Sequence, residues 1–226
     1  MKRNILLTIV AVLASLTFAM SQDMSLKGEN EEIALIQKEP RIDSYFLQHS
    51  LFSFNYNLSF PLADLQDYIS DLGPVGFDAE LKVFITDNLA IGGKIGVISF
   101  YQKYPKDTYY FENGALTTTI FNYYYTIPMQ ALADWFFNPK GFIQPYAGLG
   151  IGVNYNERRT EIGFYALEDN SWNFSVSPEA GVIVPFGKYS AWGFSAKARY
   201  NYQVYNRDRF NGMQYLDLSF GLSYSY

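Results

Sequence analysis

Cysteine is absent from this sequence, and histidine occurs once, as His49. Without cysteine the chain can form no disulfide framework, and it has no thiol to carry the lipid anchor of a lipoprotein. A single imidazole and no thiol leave only carboxylates as metal ligands, so we expect no metal site and no other cofactor. The single histidine and the absence of cysteine also leave few candidates for hydrolytic catalysis, so we expect no catalytic residues.

Charge and long apolar runs are also scarce. Charged residues make up 17% of the chain, against about a quarter in an ordinary soluble domain. No interior segment has the roughly 20 consecutive apolar residues of a membrane-spanning helix, and the mean hydropathy is -0.08. The net charge of -5 and the pI of 4.9 argue against nucleic-acid binding. Aromatic residues, by contrast, make up 19% of the 226 residues, a length that favours a single domain.

The first 21 residues have the pattern of a secretory signal peptide. Lys2 and Arg3 form a basic region, residues 5–19 an apolar region, and Ala19-Met20-Ser21 a cleavage site. The alternative is an uncleaved anchor helix, but the apolar run is short and no stop-transfer cluster follows it. Residues 22–48 are polar and predict a loosely structured periplasmic segment. Its apolar island, residues 33–36, either docks on another surface or needs no partner.

From residue 51 onwards, apolar and polar residues alternate with the period of two that is typical of half-buried strands. In the first such stretch, Phe52, Phe54 and Tyr56 are separated by serine and asparagine. The last stretch is the most regular and ends on Tyr226, whereas the termini of globular proteins usually fray. The pattern predicts eight strands, at residues 52–60, 77–85, 89–101, 121–137, 143–155, 172–184, 192–203 and 215–226.

The lengths of the connections alternate as well. Those after the second, fourth and sixth predicted strands are short, and those after the first, third, fifth and seventh are long and polar. Outer-membrane barrels have this asymmetry, with short periplasmic turns and long extracellular loops. We therefore predict an all-β fold over residues 49–226: an eight-stranded antiparallel up-and-down transmembrane β-barrel with both termini periplasmic. Pro128 lacks an N–H group and predicts a bulge or an irregular stretch in the fourth strand.

Two segments resemble parts of a known barrel superfamily. Residues 84–93, FITDNLAIGG, and residues 144–152, QPYAGLGIG, are similar to the corresponding turn and strand of small OmpA-like and OmpW-like (OmpX-type) barrels. This resemblance implies a location in the outer membrane of a Gram-negative bacterium. The partners that it implies are outer-membrane lipid and lipopolysaccharide, the barrel assembly machinery during insertion, and other outer-membrane proteins. It also implies that the C-terminal aromatic residues, Tyr224 and Tyr226, serve as the assembly signal.

Charged residues at inward-facing strand positions form the best-defined cluster. Counting from the turns places Glu80 opposite Lys94, and it places both Glu179 and Asp217 near Arg199. An eight-stranded barrel is only wide enough for side chains to fill, so we expect these groups to pair in the lumen. They form either an ion-selective pore or acid/base pair, or a packed polar core, and the core is favoured. The predicted lumenal charge network is Asp78, Glu80, Lys82, Lys94, Asp134, Glu179, Lys197, Arg199 and Asp217.

The first long loop has helical periodicity. Leu62, Leu65, Ile69 and Leu72 recur at helical spacing between Pro61 and the Gly73-Pro74 pair. This predicts an interaction helix whose apolar stripe binds a partner or a small apolar molecule, or caps the barrel mouth. The other extracellular loops carry cations that either hold lipopolysaccharide phosphates or form a solvated rim with nearby acids. Those cations are Lys103, Lys106, Arg158, Arg159, Arg207 and Arg209.

These observations favour a non-enzymatic outer-membrane barrel with a structural or interaction role, such as an accessory subunit of a larger outer-membrane complex. The resemblance to OmpW-like barrels implies an alternative, a conduit for small apolar solutes. A lipid-modifying enzyme is less favoured. Related hydrolases pair a histidine with a serine toward the outer leaflet, whereas His49 lies at the predicted periplasmic mouth.

Overall fold

Eight strands close into one antiparallel barrel in chain order, and the first strand pairs with the last. The computed structural model describes residues 47, 49–111, 114–187, 190–204 and 212–226. The elements are β1 (Ser50–Leu62), α1 (Asp64–Tyr68), β2 (Val75–Phe84), β3 (Leu89–Phe111), β4 (Gly114–Phe136), β5 (Gln144–Ile162), β6 (Tyr165–Pro185), β7 (Trp192–Gln203) and β8 (Met213–Ser225). The predicted eight-stranded up-and-down barrel is confirmed. The predicted signal peptide, and all of the predicted periplasmic segment except Leu47, lie outside the described residues.

Four neighbouring strands are longer than the alternation predicted. β3 to β6 contain 19 to 23 residues each, whereas the other four strands contain 10 to 13. The additional residues lie in polar stretches whose composition predicts loops. Strand pairing continues there because backbone hydrogen bonds need no alternation of polar and apolar side chains. We refer to the parts of β3 to β6 that extend beyond the ends of the other four strands as the blade.

Pro128 interrupts the pairing of β4 with β3 locally but causes no bulge between them. Ile95 pairs with Met129 and Ile98 with Thr126, so the register between β3 and β4 is the same on both sides of the proline. Only the residues that lie between these two pairs are unpaired across β3 and β4. The register shift between these strands lies higher, between Tyr104 and Asp107. Pro105 falls within that step and has no N–H group for the ladder.

Side chains alternate between the lumen and the outside as predicted. On β2, Asp78 and Glu80 are buried, and their neighbours Phe77 and Leu81 are exposed. The outward-facing residues around the barrel are mostly aromatic or aliphatic, and include Phe52, Phe54, Ile91, Val97, Trp135, Leu149, Ile151, Phe174, Phe194, Phe220 and Leu222. An apolar outer face of this extent is unfavourable in water and favourable in lipid.

No helix within the described residues is long and apolar enough to cross a membrane.

The interior of the barrel has three layers. A lower apolar cluster fills the end at which β1 begins and β8 ends, and it consists of Leu47, Leu51, Ala90, Phe136, Tyr146 and Ile183. An upper apolar cluster lies at the opposite end, and it consists of Leu65, Ile69, Ile98, Phe100, Tyr124, Met213 and Tyr215. The charged side chains lie between the two clusters. This layering places the charges away from both mouths.

Candidate functional site

The charge network in the lumen is centred on Arg199. Arg199 Nε donates to Glu179 Oε2 at 2.5 Å, and Nη2 donates to Glu80 Oε1 at 2.5 Å and also contacts Glu179. Arg199 lies directly opposite Glu179 on the neighbouring strand, as the sequence predicted. Glu80 belongs to β2, on another part of the barrel wall. One guanidinium therefore joins two carboxylates from different strands through charge-assisted hydrogen bonds.

Lys82 forms a second centre within the network. Its ammonium group contacts the Asp134 carboxylate and lies 3.1 Å from Glu80 Oε2 and 3.4 Å from Glu179 Oε1. The same Nζ lies 4.8 Å from the centroid of the Tyr146 ring, which adds a cation–π contact. Tyr146 is buried and is not among the predicted members of the network.

Lys197 and Asp78 complete the network. Lys197 Nζ donates to Glu80 Oε1 and lies 3.4 Å from Asp78 Oδ1. Asp78 also accepts hydrogen bonds from Asn55 Nδ2 at 2.7 Å and from Asn57 Nδ2 at 2.8 Å. The network therefore includes uncharged side chains of β1 that are not among its predicted members.

Two predicted ion pairs do not form. Lys94 lies opposite Glu80 in register, but its Nζ has no hydrogen-bond partner within the described part of the chain. Asp217 lies opposite Arg199 but accepts hydrogen bonds from Ser59 Oγ at 2.5 Å and Asn201 Nδ2 at 2.8 Å instead. Cross-strand register sets only the distance between Cβ atoms. Long side chains cross the lumen and find partners on other strands.

The network as a whole is a packed polar core. Each of its nine predicted members is at most 6% exposed. Charges that are removed from water are stable only when they are paired and hydrogen-bonded, and most of these groups meet that condition. This arrangement supports the packed-core interpretation over an open ion pathway.

α1 and the turn after it close the upper mouth. Leu65 and Ile69 are fully buried against Phe100, Tyr124 and Tyr215. The inward-facing strand residues that contact Leu65 and Ile69 are apolar. Their occurrence at inward positions is the sequence signal by which such a plug could have been found. The sequence leaves open whether this loop binds a partner or a small apolar molecule, or caps the barrel mouth. The geometry supports the cap.

The predicted interaction helix is wrong in extent. α1 covers five residues, and only two of the four stripe residues, Leu65 and Ile69, face the lumen. Leu62 belongs to β1, where it pairs with Gln214, and Leu72 is 41% exposed. Strand pairing determines these limits, because Ser59 and Gly73 exchange two backbone hydrogen bonds of 2.8 and 3.0 Å beyond the helix. Helical spacing alone does not reveal this competition.

Side-chain hydrogen bonds tie the plug to the blade. The Tyr68 hydroxyl shares a hydrogen bond of 2.6 Å with Thr160 Oγ1, and Asn122 Nδ2 donates to the Tyr68 carbonyl at 2.9 Å. Gln102 Nε2 donates to Ser70 Oγ at 2.9 Å. Burial raises the pKa of the Tyr68 phenol above its ordinary value, so this hydroxyl stays protonated near neutral pH. The plug is thereby attached to β3, β4 and β5.

The lower mouth is closed by packed rings. Phe136 lies 5.2 Å from Phe84 and 5.0 Å from Tyr146, measured between ring centroids. Leu47 is buried in the same cluster, although it precedes β1. The lumen is therefore filled with apolar side chains at both ends.

Two of the six predicted loop cations, both arginines, pair with nearby acids. Arg159 contacts Glu161 and lies 3.5 Å from Glu168, and Arg158 lies 3.9 Å from Asp169. Lys103 Nζ lies 5.7 Å from the centroid of the Phe121 ring. Arg207 and Arg209 lie outside the described residues. These local pairs fit the solvated-rim interpretation.

The tip of the β5–β6 hairpin carries exposed apolar side chains that are not among the predicted site residues. Phe164, Tyr165 and Leu167 are 106%, 78% and 65% exposed. Gly163 has a φ of +60° at the first position of the two-residue turn, a conformation that favours glycine. The sequence signal was an apolar cluster beside a single glycine within a charged loop.

The remaining predicted residues lie near the lower end. His49 is exposed, and its carbonyl accepts a hydrogen bond from Phe84 N at 2.9 Å. The structure, over its described residues, brings together no group of side chains that could hold a metal ion. Tyr224 packs on Trp192 with ring centroids 5.0 Å apart, and Tyr226 exchanges two backbone hydrogen bonds of 3.0 Å with Ser50. The two C-terminal tyrosines thus lie at the closure of the barrel.

No protein-family model matches the chain, and no curated protein matches it significantly. Among solved structures, Neisserial surface protein A is 15% identical with a TM-score of 0.52, covering 78% of this chain and 97% of that one. Ail of Yersinia pestis is 13% identical with a TM-score of 0.46, covering 80% and 99%. OprG of Pseudomonas aeruginosa is 12% identical with a TM-score of 0.46, covering 82% and 99%. The first similarity shows that this chain has the fold of small outer-membrane barrels.

Proposed function

We propose that this protein is an integral barrel of the Gram-negative outer membrane that presents its extracellular blade to a protein partner and catalyses no reaction. The observation that carries this proposal is a lumen filled at both ends beneath an exposed apolar hairpin tip. A barrel that has no open path through its lumen acts through its outer surfaces. The lipid-facing surface anchors it, which leaves the blade for recognition.

The asymmetry of the barrel supports the orientation. The start of β1 and the end of β8 lie at the end of the barrel that carries the turns at residues 85–88, 137–143 and 186–191, and the blade extends from the opposite end. Outer-membrane barrels direct their short turns to the periplasm. In this orientation both termini are periplasmic, and the β5–β6 tip extends outward from the cell.

The tip supports recognition of an apolar surface. Isolated exposed apolar residues are ordinary, but three large ones within four positions of a hairpin turn form a patch. Aromatic residues in a pre-organised turn bind with little loss of conformational freedom. The nearby arginines pair with local acids, so apolar contact is the main attraction that the tip offers. An accessory subunit would use such a tip to contact a larger outer-membrane protein.

The experiment compares complexes in native membranes. Outer membranes from cells that express the full chain are solubilised in mild detergent after brief crosslinking, and the complexes are separated by native electrophoresis. We expect the wild type to migrate with a stoichiometric partner, and a Phe164→Ser, Tyr165→Ser, Leu167→Ser variant to migrate as the barrel alone. Phe142→Ser, in an exposed turn at the opposite end, is the matched control and should leave the complex intact. A wild type that migrates alone would refute the proposal.

Planar bilayers separate this proposal from the conduit for small apolar solutes. The filled lumen supports an expectation of no conductance and no solute-dependent uptake by the purified barrel. Uptake of a small apolar solute would favour the conduit instead. Unchanged masses of lipid A and phospholipid in the presence of the protein, with either wild-type or His49→Ala chains, are expected for a barrel without enzymatic activity.

A further inference from the structure

The blade has two edge strands, and only one of them is protected against pairing with another chain. In the described part of the chain, β3 beyond Ser99 pairs with β4 alone. This edge contains Lys103, Pro105 and Lys106 and a shift of register. Lysine, proline and irregular pairing are features by which natural sheets prevent edge-to-edge association. The β3 edge is therefore a poor template for an added strand.

The edge of β6 has none of these features. From Tyr165 to Asp169 it contains no lysine, arginine or proline, and its pairing with β5 continues without a shift of register to the hairpin turn. The ladder with β7 ends at Ser175, and one further bond runs from Val204 N to Phe174 O at 2.8 Å. Above that bond, no described residue pairs with this side of β6. A regular strand with one open side is a template for another strand.

The connection between β7 and β8 is too short to cover the top of this edge. Residues 205–211 link the two strands, whose facing ends are paired. At most half of the connection can lead outward along β6 before the chain turns back. With the register continued from Gln203, its midpoint lies opposite Asn170 at the furthest. Ala166 and Glu168 lie beyond that level.

Backbone groups at the top of the edge point toward the open side. Phe174 O bonds on the β7 side, and in a strand the N–H and C=O groups of every second residue point the same way. Ala166 and Glu168 therefore direct their N–H and C=O groups away from β5. Both residues are exposed. They lie beside the apolar tip, so the tip and the edge form one continuous surface.

We infer that the protein partner adds an extended segment as a strand along the open edge of β6, an inference that rests on the proposed function. The side chains of the edge specify the segment. Tyr165 and Leu167 lie on one face and Glu168 on the other. On the Glu168 face, Arg159 is shared between Glu161 and Glu168, so acids exceed cations there. The matching segment has apolar side chains on one face and lysine or arginine on the other.

A second copy of this chain fits the edge less well. Its β3 edge is protected, and its β6 edge has the same acidic face, so two β6 edges would place like charges together. A different outer-membrane protein that offers a basic and apolar segment is therefore the occupant that the edge favours.

The first test repeats the native electrophoresis of crosslinked complexes with two variants of one residue. Ala166→Pro removes an N–H group that points to the open side and spares the bonds to β5, whereas Ala166→Ser keeps that N–H group. We expect the proline variant to fold, as judged by its mobility in unheated samples, and to lose the complex. The serine variant should retain it. A complex that survives Ala166→Pro, while the triple tip variant loses it, would overturn strand addition and leave the proposed function standing.

Glu168→Lys tests the chemistry of the added segment. It reverses the charge on the edge and should abolish the complex. Glu161→Lys is the matched control, because Glu161 contacts the same arginine but lies on β5, away from the open side. This control should retain the complex. Equal loss in both variants, or in neither, would contradict a basic segment on the β6 edge.

Hydrogen exchange on the full chain gives an independent measurement. In the lone barrel in phospholipid nanodiscs, the amides of Ala166 and Glu168 should exchange freely, whereas that of Leu167, which points to β5, should exchange slowly. In the complex purified without crosslinker, the first two amides should become protected. Protection already in the lone barrel, free exchange in the complex, or a complex made of two copies of this chain would each overturn the inference. A wild type that migrates alone would instead refute the proposed function itself.

Discussion

At the scale of single residues, the barrel is stabilised by a few side chains with several partners each. Arg199 joins Glu80 to Glu179, and Lys82 joins three carboxylates. Removing Lys82 takes from Asp134 its cation partner, and removing Arg199 takes one cation from both Glu80 and Glu179. Such losses inside a protein cost more than an exposed ion pair contributes. Small residues are equally important for the stability of the barrel, because bulky side chains in the lumen need space beside them.

Arg199→Met should destabilise the folded barrel by about 3–5 kcal/mol, since Glu80 and Glu179 lose the guanidinium that they share and keep only lysine partners in the buried lumen. The measurement is urea unfolding in detergent micelles, followed by the shift in electrophoretic mobility between folded and unfolded barrels. Lys140→Met is the control, because the Lys140–Asp87 pair is exposed at a turn and such pairs contribute about 0–1 kcal/mol. Equal midpoints for both variants would refute a structural role for the network.

Gly152→Ala should destabilise the barrel by about 1–3 kcal/mol, the usual cost of overpacking. A Cβ atom at this position would overlap the Met129 carbonyl and would lie 2.6 Å from Gln130 Cα, and backbone cannot move aside as a flexible side chain can. Gly187→Ala meets nothing within 4 Å and should have little effect. The same unfolding assay compares them. A tolerated Gly152→Ala would mean that β4 and β5 can separate locally.

At the scale of elements, the two unusual features are the plug and the blade. α1 is too short to be stable by itself, and it persists because Leu65 and Ile69 fill an apolar cup formed by the strands. The blade extends strand pairing above the level at which the other strands end. Hydrogen bonds from Gln102, Asn122 and Thr160 join the two features, so the plug is fixed to the blade.

Cysteine labelling tests the plug, and the absence of native cysteine makes the assay clean. Met213→Cys places one thiol in the fully buried upper cluster, where we expect slow reaction with a water-soluble maleimide. Adding Leu65→Asp and Ile69→Asp should expel the plug and accelerate labelling at least tenfold. Leu72→Asp, an exposed position of the same loop, should leave it slow. Fast labelling with the native plug would contradict closure of the upper mouth.

At the scale of the whole molecule, closure is the event that creates both the lipid-facing surface and the filled lumen. β1 pairs with β8 along nearly its entire length, from Leu51 opposite Ser225 to Leu62 opposite Gln214. Closure removes the free edges of an open sheet at the level of these two strands, whereas in the blade, over the described residues, β3 beyond Ser99 and β6 before Ser175 pair on one side only. The C-terminal residues lie at this final seam.

Deleting Tyr226 should reduce the fraction of folded barrel in the outer membrane severalfold. The deletion removes two backbone hydrogen bonds to Ser50 and the terminal ring that the predicted assembly signal requires. Pulse labelling followed by electrophoresis without heating measures the folded fraction over time. Tyr226→Phe retains the ring and the backbone and should fold like the wild type. Normal folding of the deletion variant would exclude an assembly role for this residue.

The sequence by itself determined the class of fold, the position of most strands and the direction of their side chains. With a period of two, the only open question is which face of each strand points outward. A lipid exterior requires that the apolar face point outward, as Phe77 and Leu81 do beside Asp78 and Glu80. Short turns then fixed the register of neighbouring strands, so the facing positions of Glu179 and Arg199 followed from counting.

Only the tertiary structure decided which charges meet, where α1 ends and how far the blade rises. Glu80 contacts Lys197 and Arg199, which are far from it in the sequence, because long side chains cross a narrow lumen. α1 is cut short because Leu62 and Gly73 enter strand pairing with distant residues. Such contacts depend on closure of the whole barrel, and no local pattern of residue types records which distant group a side chain will reach.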